Sequence, residues 1–489
     1  MLGLGLLALW SWQKWNQVWV QNSHTYFPFQ QMSAEDSEDL SWRYPIYRSN
    51  DTYQWVYTAD SLARGHPAAL RYRLNEGPDS GRANSWSSGL AHLLHFGGAR
   101  LAAWQDWPTI RGIHHLSHWL GTLLLLSIIT IMGLLLLRIH TLSTAVIFAL
   151  LYFFTPAIAW DFSFSRIDHD VLFQISLILQ AIGLFQLYNP NTQHLHRWAV
   201  AGGIGAGLAW WTGATVQSAI GCLILLASLI ARSHKKEASD PLETLSNNPW
   251  ITWGITATFA LAACILLDHR WQFIDSINAL HPIFIFAQIG AALVSAIGLR
   301  PSTRIKQCVL IFAFILGLAP VYWIALKGGN AHVWFDPLQL RFHQVIVEMQ
   351  SPIQNQLWKT PEFCSLALIS IAALITTRWR MPSQRGLAVL MLGLTVLSLL
   401  QTRWIGLAAT VGVLALCLNP LVATAHPEQR LQRLKFICAL LISAFAIFWV
   451  QHWRSITTKP GTRLITDFYT QIAGRDVNFN IDAYCGHQP

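Results

Sequence analysis

The sequence predicts a polytopic, all-α membrane protein, and three observations lead there. Of the 489 residues, 53% are hydrophobic and only 12% are charged, where a soluble chain is about one quarter charged. The apolar residues arrive in blocks of the roughly 20 residues an α-helix needs to cross a bilayer. They do not alternate in segments of about ten, as a membrane β-barrel would require. The net charge of +9 does not indicate nucleic acid. Its basic residues sit in short loops between apolar blocks, the pattern of cytoplasmic loops, and no nucleic-acid-binding motif accompanies them. Six of the seven cysteines (Cys222, Cys264, Cys308, Cys364, Cys417, Cys438) lie in or beside apolar runs and Cys485 lies in a polar tail. No disulfide framework is expected.

In chain order, thirteen candidate spans fall near 1–20, 115–137, 142–160, 171–188, 197–213, 214–232, 250–267, 282–299, 306–326, 363–377, 385–401, 402–420 and 434–451. The first opens on "MLGLGLLALW" but meets Gln13 and Lys14 early. A signal peptide is the other reading, without an evident small-residue cleavage site to support it. With a cytoplasmic N-terminus, the inside loops hold Arg138; Arg197; Arg232, Lys235 and Lys236; Arg300, Arg304 and Lys306; Arg378, Arg380 and Arg385; and Arg430, Arg433 and Lys435. Every short inside loop is then basic, the bias that sets membrane topology. A bundle over 115–451 results, with three long polar segments outside: a first loop over 21–114 carrying interfacial helices, a loop over 327–362, and a short tail over 452–489. No internal repeat is detectable.

Charges that remain outside, at the membrane edge, are the candidates for chemistry. In "SRIDHDVLF" (165–173) Asp168 and Asp170 flank His169 at the outer mouth of the fourth span, with Arg166 and Asp161 nearby. Residues two apart do not share a helix face, but at a helix start both carboxylates can converge on one cation. Carboxylate oxygens suit Mg²⁺ or Mn²⁺. A capping role accounts for one aspartate but not for the whole cluster. His169, the middle residue, is a further candidate ligand. Asp51 in "NDTY" precedes an amphipathic stretch, and its plain reading is an N-cap on an interfacial helix. Glu348 in "VIVEMQSPI" is an acid in an apolar setting of the 327–362 loop. Arg403 in "LLQTRWIGLAA" interrupts an apolar run; it either marks an outer turn or grips a phosphate bidentately. The aromatics of the first loop (Trp42, Tyr44, Tyr47, Tyr53, Trp55, Tyr57) read as an interfacial belt, with stacking on sugar rings as the alternative.

These pieces, in this order, resemble the catalytic subunit family of oligosaccharyltransferases, membrane glycosyltransferases of the GT-C fold. The resemblance covers roughly residues 1 to 455. Asp51 matches the family's first-loop aspartate, Asp168 and Asp170 its D-x-D motif, Glu348 its acidic residue in the late external loop, with Val345 at the hydroxyl position, and Arg403 an arginine that contacts lipid-linked phosphate. The resemblance implies Asp51, Asp168, Asp170 and Glu348 as catalytic residues, the first three holding Mg²⁺ or Mn²⁺. Arg403, with Arg166 assisting or pairing with the aspartates, would bind the phosphate. It further implies inverting transfer from a polyprenyl-phosphate or diphosphate donor, among membrane lipids, on the external (periplasmic) face of a bacterial inner (plasma) membrane. The family's Trp-Trp-Asp motif is absent; "AWWTGAT" (209–215) has the tryptophan pair inside a span, without the aspartate. The acceptor, protein or glycan, is therefore open. The runner-up is a GT-C transferase adding single sugars from polyprenyl monophosphate to a polysaccharide, lipid or cell-wall polymer. A transporter would line a midplane path with charge, whereas these acids cluster at one surface.

Overall fold

The computed structural model describes residues 50–66, 72–73, 82–83, 88–139, 142–159, 161–162, 166–189, 192–232, 248–269, 280–298, 303–322, 360–418, 432 and 435–447. The chain divides into two compact units. One spans 39–443; of the other, formed by 1–38 and 444–489, only the helical residues 444–447 are described. All that follows concerns the first unit. The segments 1–20, 327–359 and 452–489 lie outside the described residues.

The described residues are almost entirely helical. The exception is a two-residue antiparallel pair, Tyr72–Arg73 (β1) with Arg82–Ala83 (β2). Two helices come from the predicted first loop: α1 (Asn50–Ala63) and α2 (Gly89–Gln105). There follow α3 (Thr109–Ile139), α4 (Leu142–Phe154), a short α5 (Pro156–Ala159), α6 (Asp170–Tyr188), α7 (Leu195–Thr212) and α8 (Ala214–Arg232). Next come α9 (Pro249–His269), α10 (Ile283–Ile297), α11 (Arg304–Gly317), α12 (Pro361–Thr376), α13 (Pro382–Leu400) and α14 (Ile405–Leu418). A 3-10 turn, Thr402–Trp404, joins the last two.

Among the described residues, four helices are long and apolar enough to cross a membrane: Thr109–Leu137, Asp170–Tyr188, Pro249–Asp268 and Pro382–Leu400. Several others are apolar but shorter, Ile283–Ile297 and Pro361–Thr376 among them. The continuous span expected over 142–160 is broken at Thr155, because Pro156 disfavours a helical residue before it and lacks the N–H to continue the ladder. Other starts follow ordinary rules: the Thr303 and Thr360 hydroxyls accept from the N–H groups of Lys306 and Phe363, and Pro361 and Pro382 occupy first-turn positions.

Faces sort as they do in a bilayer. Leu123, Ile131, Leu134 and Leu137 of α3 and Ile311, Phe312 and Ile315 of α11 are exposed, while small residues line helix contacts. A Cβ on Gly202 of α7 would fall 2.0 Å from the Trp253 ring of α9, so glycine is what lets those two helices touch. Every residue of α14 is buried, as suits a helix apolar on all sides; it packs against α4, α5, α6, α12 and α13. One buried charge ties α2 to the bundle. Asp268, near the end of α9, accepts through Oδ1 from Ser88 N (2.8 Å), Ser88 Oγ (2.5 Å) and Trp211 Nε1 (3.1 Å).

Candidate functional site

The site is built where α6 begins. The 166–168 segment runs, buried, to a half-buried His169 and into α6, of which Asp170 is the first residue. The start of α1 is fastened to this segment by one hydroxyl. Thr52 Oγ1 donates to the Ile167 carbonyl (3.0 Å) and accepts from the Ile167 N–H (3.1 Å). Asp51 precedes Thr52 and lies within the first turn of α1, which starts at Asn50. Asp51 thus stands inside the helix and not at the N-cap position expected for it, next to the residue that bonds Ile167. Its side chain lies outside the described residues, as does all of Glu348.

Asp168 is fully buried and committed on one oxygen. Its Oδ1 accepts from the His169 backbone N–H (2.6 Å) and stands 2.5 Å from His169 Nδ1. His169 Nε2 faces Arg403 Nη2 at 3.3 Å and Asp170 Oδ1 at 3.9 Å. Thus Asp168 and Arg403 lie on opposite nitrogens of one imidazole, with Asp170 alongside. Arg403 reaches this point because the chain makes a 3-10 turn at 402–404 instead of joining two helices directly. Arg166, for which either phosphate contact or pairing was expected, pairs with Asp161 (Nη1–Oδ1 3.2 Å). Trp55 is buried with its ring edge-on to His169, at 6.2 Å between centroids, while Tyr57 is partly exposed.

Burial opposes ionisation of Asp168, but His169, its hydrogen bonds and Arg166 outweigh burial and hold the carboxyl well below the usual range. Burial likewise opposes charge on His169. The Asp168 and Asp170 carboxylates outweigh both burial and Arg403, pushing the ring up to about 9. The Arg403 contact alone would suit a neutral ring accepting at Nε2; two carboxylates against one guanidinium favour the imidazolium. Because His169 is raised above 6.5, its contribution to stability is complete below pH 6.5 and is lost as pH rises through about 9. Asp168, depressed, contributes above the ordinary carboxylate range and loses that only in strong acid. In chelator, the thermal unfolding midpoint should fall between pH 6.5 and about 9, and His169→Gln should flatten that fall. A flat wild-type profile would rule out the imidazolium.

For a divalent cation the donor chemistry fits. Asp168 Oδ2 is buried with no hydrogen-bond partner among the described residues, and an ionised carboxylate oxygen is what Mg²⁺ or Mn²⁺ takes. Among the described residues no group of three or more His, Cys, Asp or Glu is arranged to hold a metal ion. The expected set included Asp51, whose side chain is not among them. Sequence reasoning passed over Thr52. Its hydroxyl carried no signal, since a threonine in a helix's first turn is ordinary. It also passed over Gln174, buried in α6, where a glutamine inside an apolar span was a readable sign.

The fold is similar to that of the oligosaccharyltransferase of Archaeoglobus fulgidus. Against the structure tethered with an acceptor peptide containing the NVT sequon, identity is 15% and the TM-score 0.54, over 82% of this chain and 51% of that one. Against the complex with Zn and sulfate, identity is 17% and the TM-score 0.51, over 82% and 48%. Against AglB from the same organism, in complex with an inhibitory peptide and a dolichol-phosphate, the values are 15% and 0.51, over 82% and 51%. The chain thus spans about half the length of the solved structures it matches. No family model and no curated protein matches it. At this identity the likeness is one of fold.

Proposed function

We propose that the chain is a metal-dependent, inverting glycosyltransferase that moves a sugar or glycan from a polyprenyl phosphate or diphosphate to an acceptor on the external face of the membrane. The observation that carries this reading is the meeting of Asp168, Asp170 and Arg403 around His169 at the mouth of an apolar helix, with α1 fastened to the same turn. A cluster of opposite charges at a membrane edge suits a phosphate headgroup whose lipid tail lies in the bilayer. The complexes of the A. fulgidus enzyme with Zn and sulfate and with a dolichol-phosphate support the same ligand chemistry. On this reading the turn lies outside, because the basic residues of the sequence gather in the loops assigned to the inside.

Asp51, Asp168 and Asp170 are the residues that would hold the cation, which when bound offsets charge developing on the departing phosphate. Arg403 grips a phosphate oxygen pair with its planar fork. Arg166, engaged by Asp161, steadies the turn. Trp55 and Ile167, both buried, back the site. Glu348 orients the acceptor or takes its proton, and attack from the face opposite the phosphate inverts the anomeric carbon. The first acceptor to test is a peptide, by analogy with the tethered peptide of the A. fulgidus structure.

The second reading is single-sugar transfer from polyprenyl monophosphate. It is favoured by the narrow gap between Asp168 and Arg403, one imidazole wide. Purified protein with Mn²⁺ should be given matched sugars on polyprenyl diphosphate and monophosphate, and the released lipid followed by chromatography. Consumption of the diphosphate donor, stopped by chelator, is expected. Consumption of the monophosphate alone would select the second reading. Release from neither, in the presence of peptide and glycan acceptors, would sink both.

A further inference from the structure

Three pieces of the site that are apart in sequence meet at Asp161. Its Oδ1 accepts from Arg166, two residues before Asp168. Its Oδ2 accepts from Gln174 Nε2 of α6 at 2.7 Å. The same Oδ2 lies against the first turn of α14, where a Cβ on Gly406 would come within 2.3 Å of it. Gly406 stands three residues after Arg403. On the far side, Gln174 Oε1 accepts from Tyr152 OH of α4 and from Thr410 Oγ1 of α14, each at 3.0 Å. Gln174, Tyr152 and Thr410 are all fully buried.

The polarity of this network is forced from one end. An ionised carboxylate only accepts, so Gln174 must turn its NH₂ toward Asp161. Its carbonyl then faces the two hydroxyls, and each donates to it. Turning the Gln174 amide over would set its oxygen against the Asp161 carboxylate, and a buried polar group left without a partner costs more than an ordinary hydrogen bond returns. The result is a rigid brace between α14, which carries the Arg403 turn at its head, and the 166–170 segment.

A brace of this kind is more than neutralisation of Arg166 requires. A single carboxylate would satisfy that guanidinium, whereas here its second oxygen is tied through Gln174 to the helix that follows Arg403. We propose that Asp161 and Gln174 are positioning residues that fix the spacing between Arg403 and the Asp168–Asp170 turn, and through it the fit of the donor phosphate. Neither touches the donor. The inference rests on the reading of Arg403 as the phosphate-gripping group.

The test is a double-mutant cycle on phosphate binding. The full chain, purified in detergent with Mn²⁺, is titrated with sugar-free polyprenyl diphosphate by calorimetry. Asp161→Asn, Arg403→Ala and the double variant are compared with the parent, and Mn²⁺ binding is followed in parallel by electron paramagnetic resonance. Arg403→Ala should weaken lipid-phosphate binding by about tenfold or more. Asp161→Asn should weaken it about tenfold in the parent but less than about twofold once Arg403 is gone. Mn²⁺ affinity should hold within about twofold throughout. Additive losses in the cycle would overturn the positioning role. An Arg403→Ala variant that binds the lipid phosphate normally would instead overturn the reading of Arg403 itself, so the two failures are distinct. If Asp161→Asn does not fold, Thr410→Val, which removes only one donor to Gln174, carries the same cycle with a smaller loss of about threefold.

Discussion

Asp168→Asn is expected to give a folded protein that has lost more than about 100-fold of its turnover on a lipid-linked donor. Asparagine keeps the volume of the side chain and an oxygen to accept the His169 backbone N–H, now made at 2.6 Å. What it removes is the negative charge, and with it the cation ligand and the partner of the His169 ring. Alanine would confuse the result, since it also empties volume and leaves the buried His169 N–H without its acceptor. The measurement is threefold: donor turnover, Mn²⁺ binding and thermal midpoint. A large loss of the first two in a protein that still unfolds cooperatively, at a midpoint lowered by loss of the His169 partner, supports the site. Full turnover by Asp168→Asn would end the metal assignment.

Gly406→Val should abolish donor binding while leaving Mn²⁺ binding in place. A Cβ there would lie 2.3 Å from Asp161 Oδ2 and 3.1 Å from both Gln174 Nε2 and the Ala157 carbonyl. Valine adds two methyl groups beyond that. Because α14 is buried along its whole length, it cannot retreat without disturbing α6, α12 and α13. Overpacking of this sort costs about 1–3 kcal/mol, and the helix that moves is the one that follows Arg403. Gly221→Ala, on α8 with nothing within 4 Å of the added atom, is the matched control and should bind normally. Equal lipid-phosphate affinity in Gly406→Val and this control would show that the head of α14 has slack.

Composition and block length made the helical membrane fold readable, and helix starts at Asp170 and Pro382 fell within a few residues of the expected spans. The D-H-D turn was readable because charge at a membrane edge is costly and so conspicuous. What surrounds it was hidden by the ambiguity of hydroxyls in spans. Ser127, Thr130 and Thr256 each donate to the carbonyl four residues back in their own helices, a use that reveals nothing about neighbours. Thr410 looks the same in sequence, yet its hydroxyl crosses to Gln174. Glutamines in apolar runs were the better sign. Gln180 and Gln217 bond each other reciprocally, and Gln288 accepts from Trp210, so each marks a contact between helices. Thr52 and Gly406 act through position alone, and no residue-type signal separates them from their neighbours.

Asp268 has a consequence for how the chain is made. A carboxylate near the end of a helix long and apolar enough to cross a membrane is tolerated when donors meet it, and Ser88 and Trp211 are among its donors. Both are synthesised before residue 268 leaves the ribosome. By the time α9 is inserted, two residues that donate to its carboxylate have already been delivered. That contact holds the N-terminal end of α2 to α9, so the surface segment is latched by a helix far downstream of it.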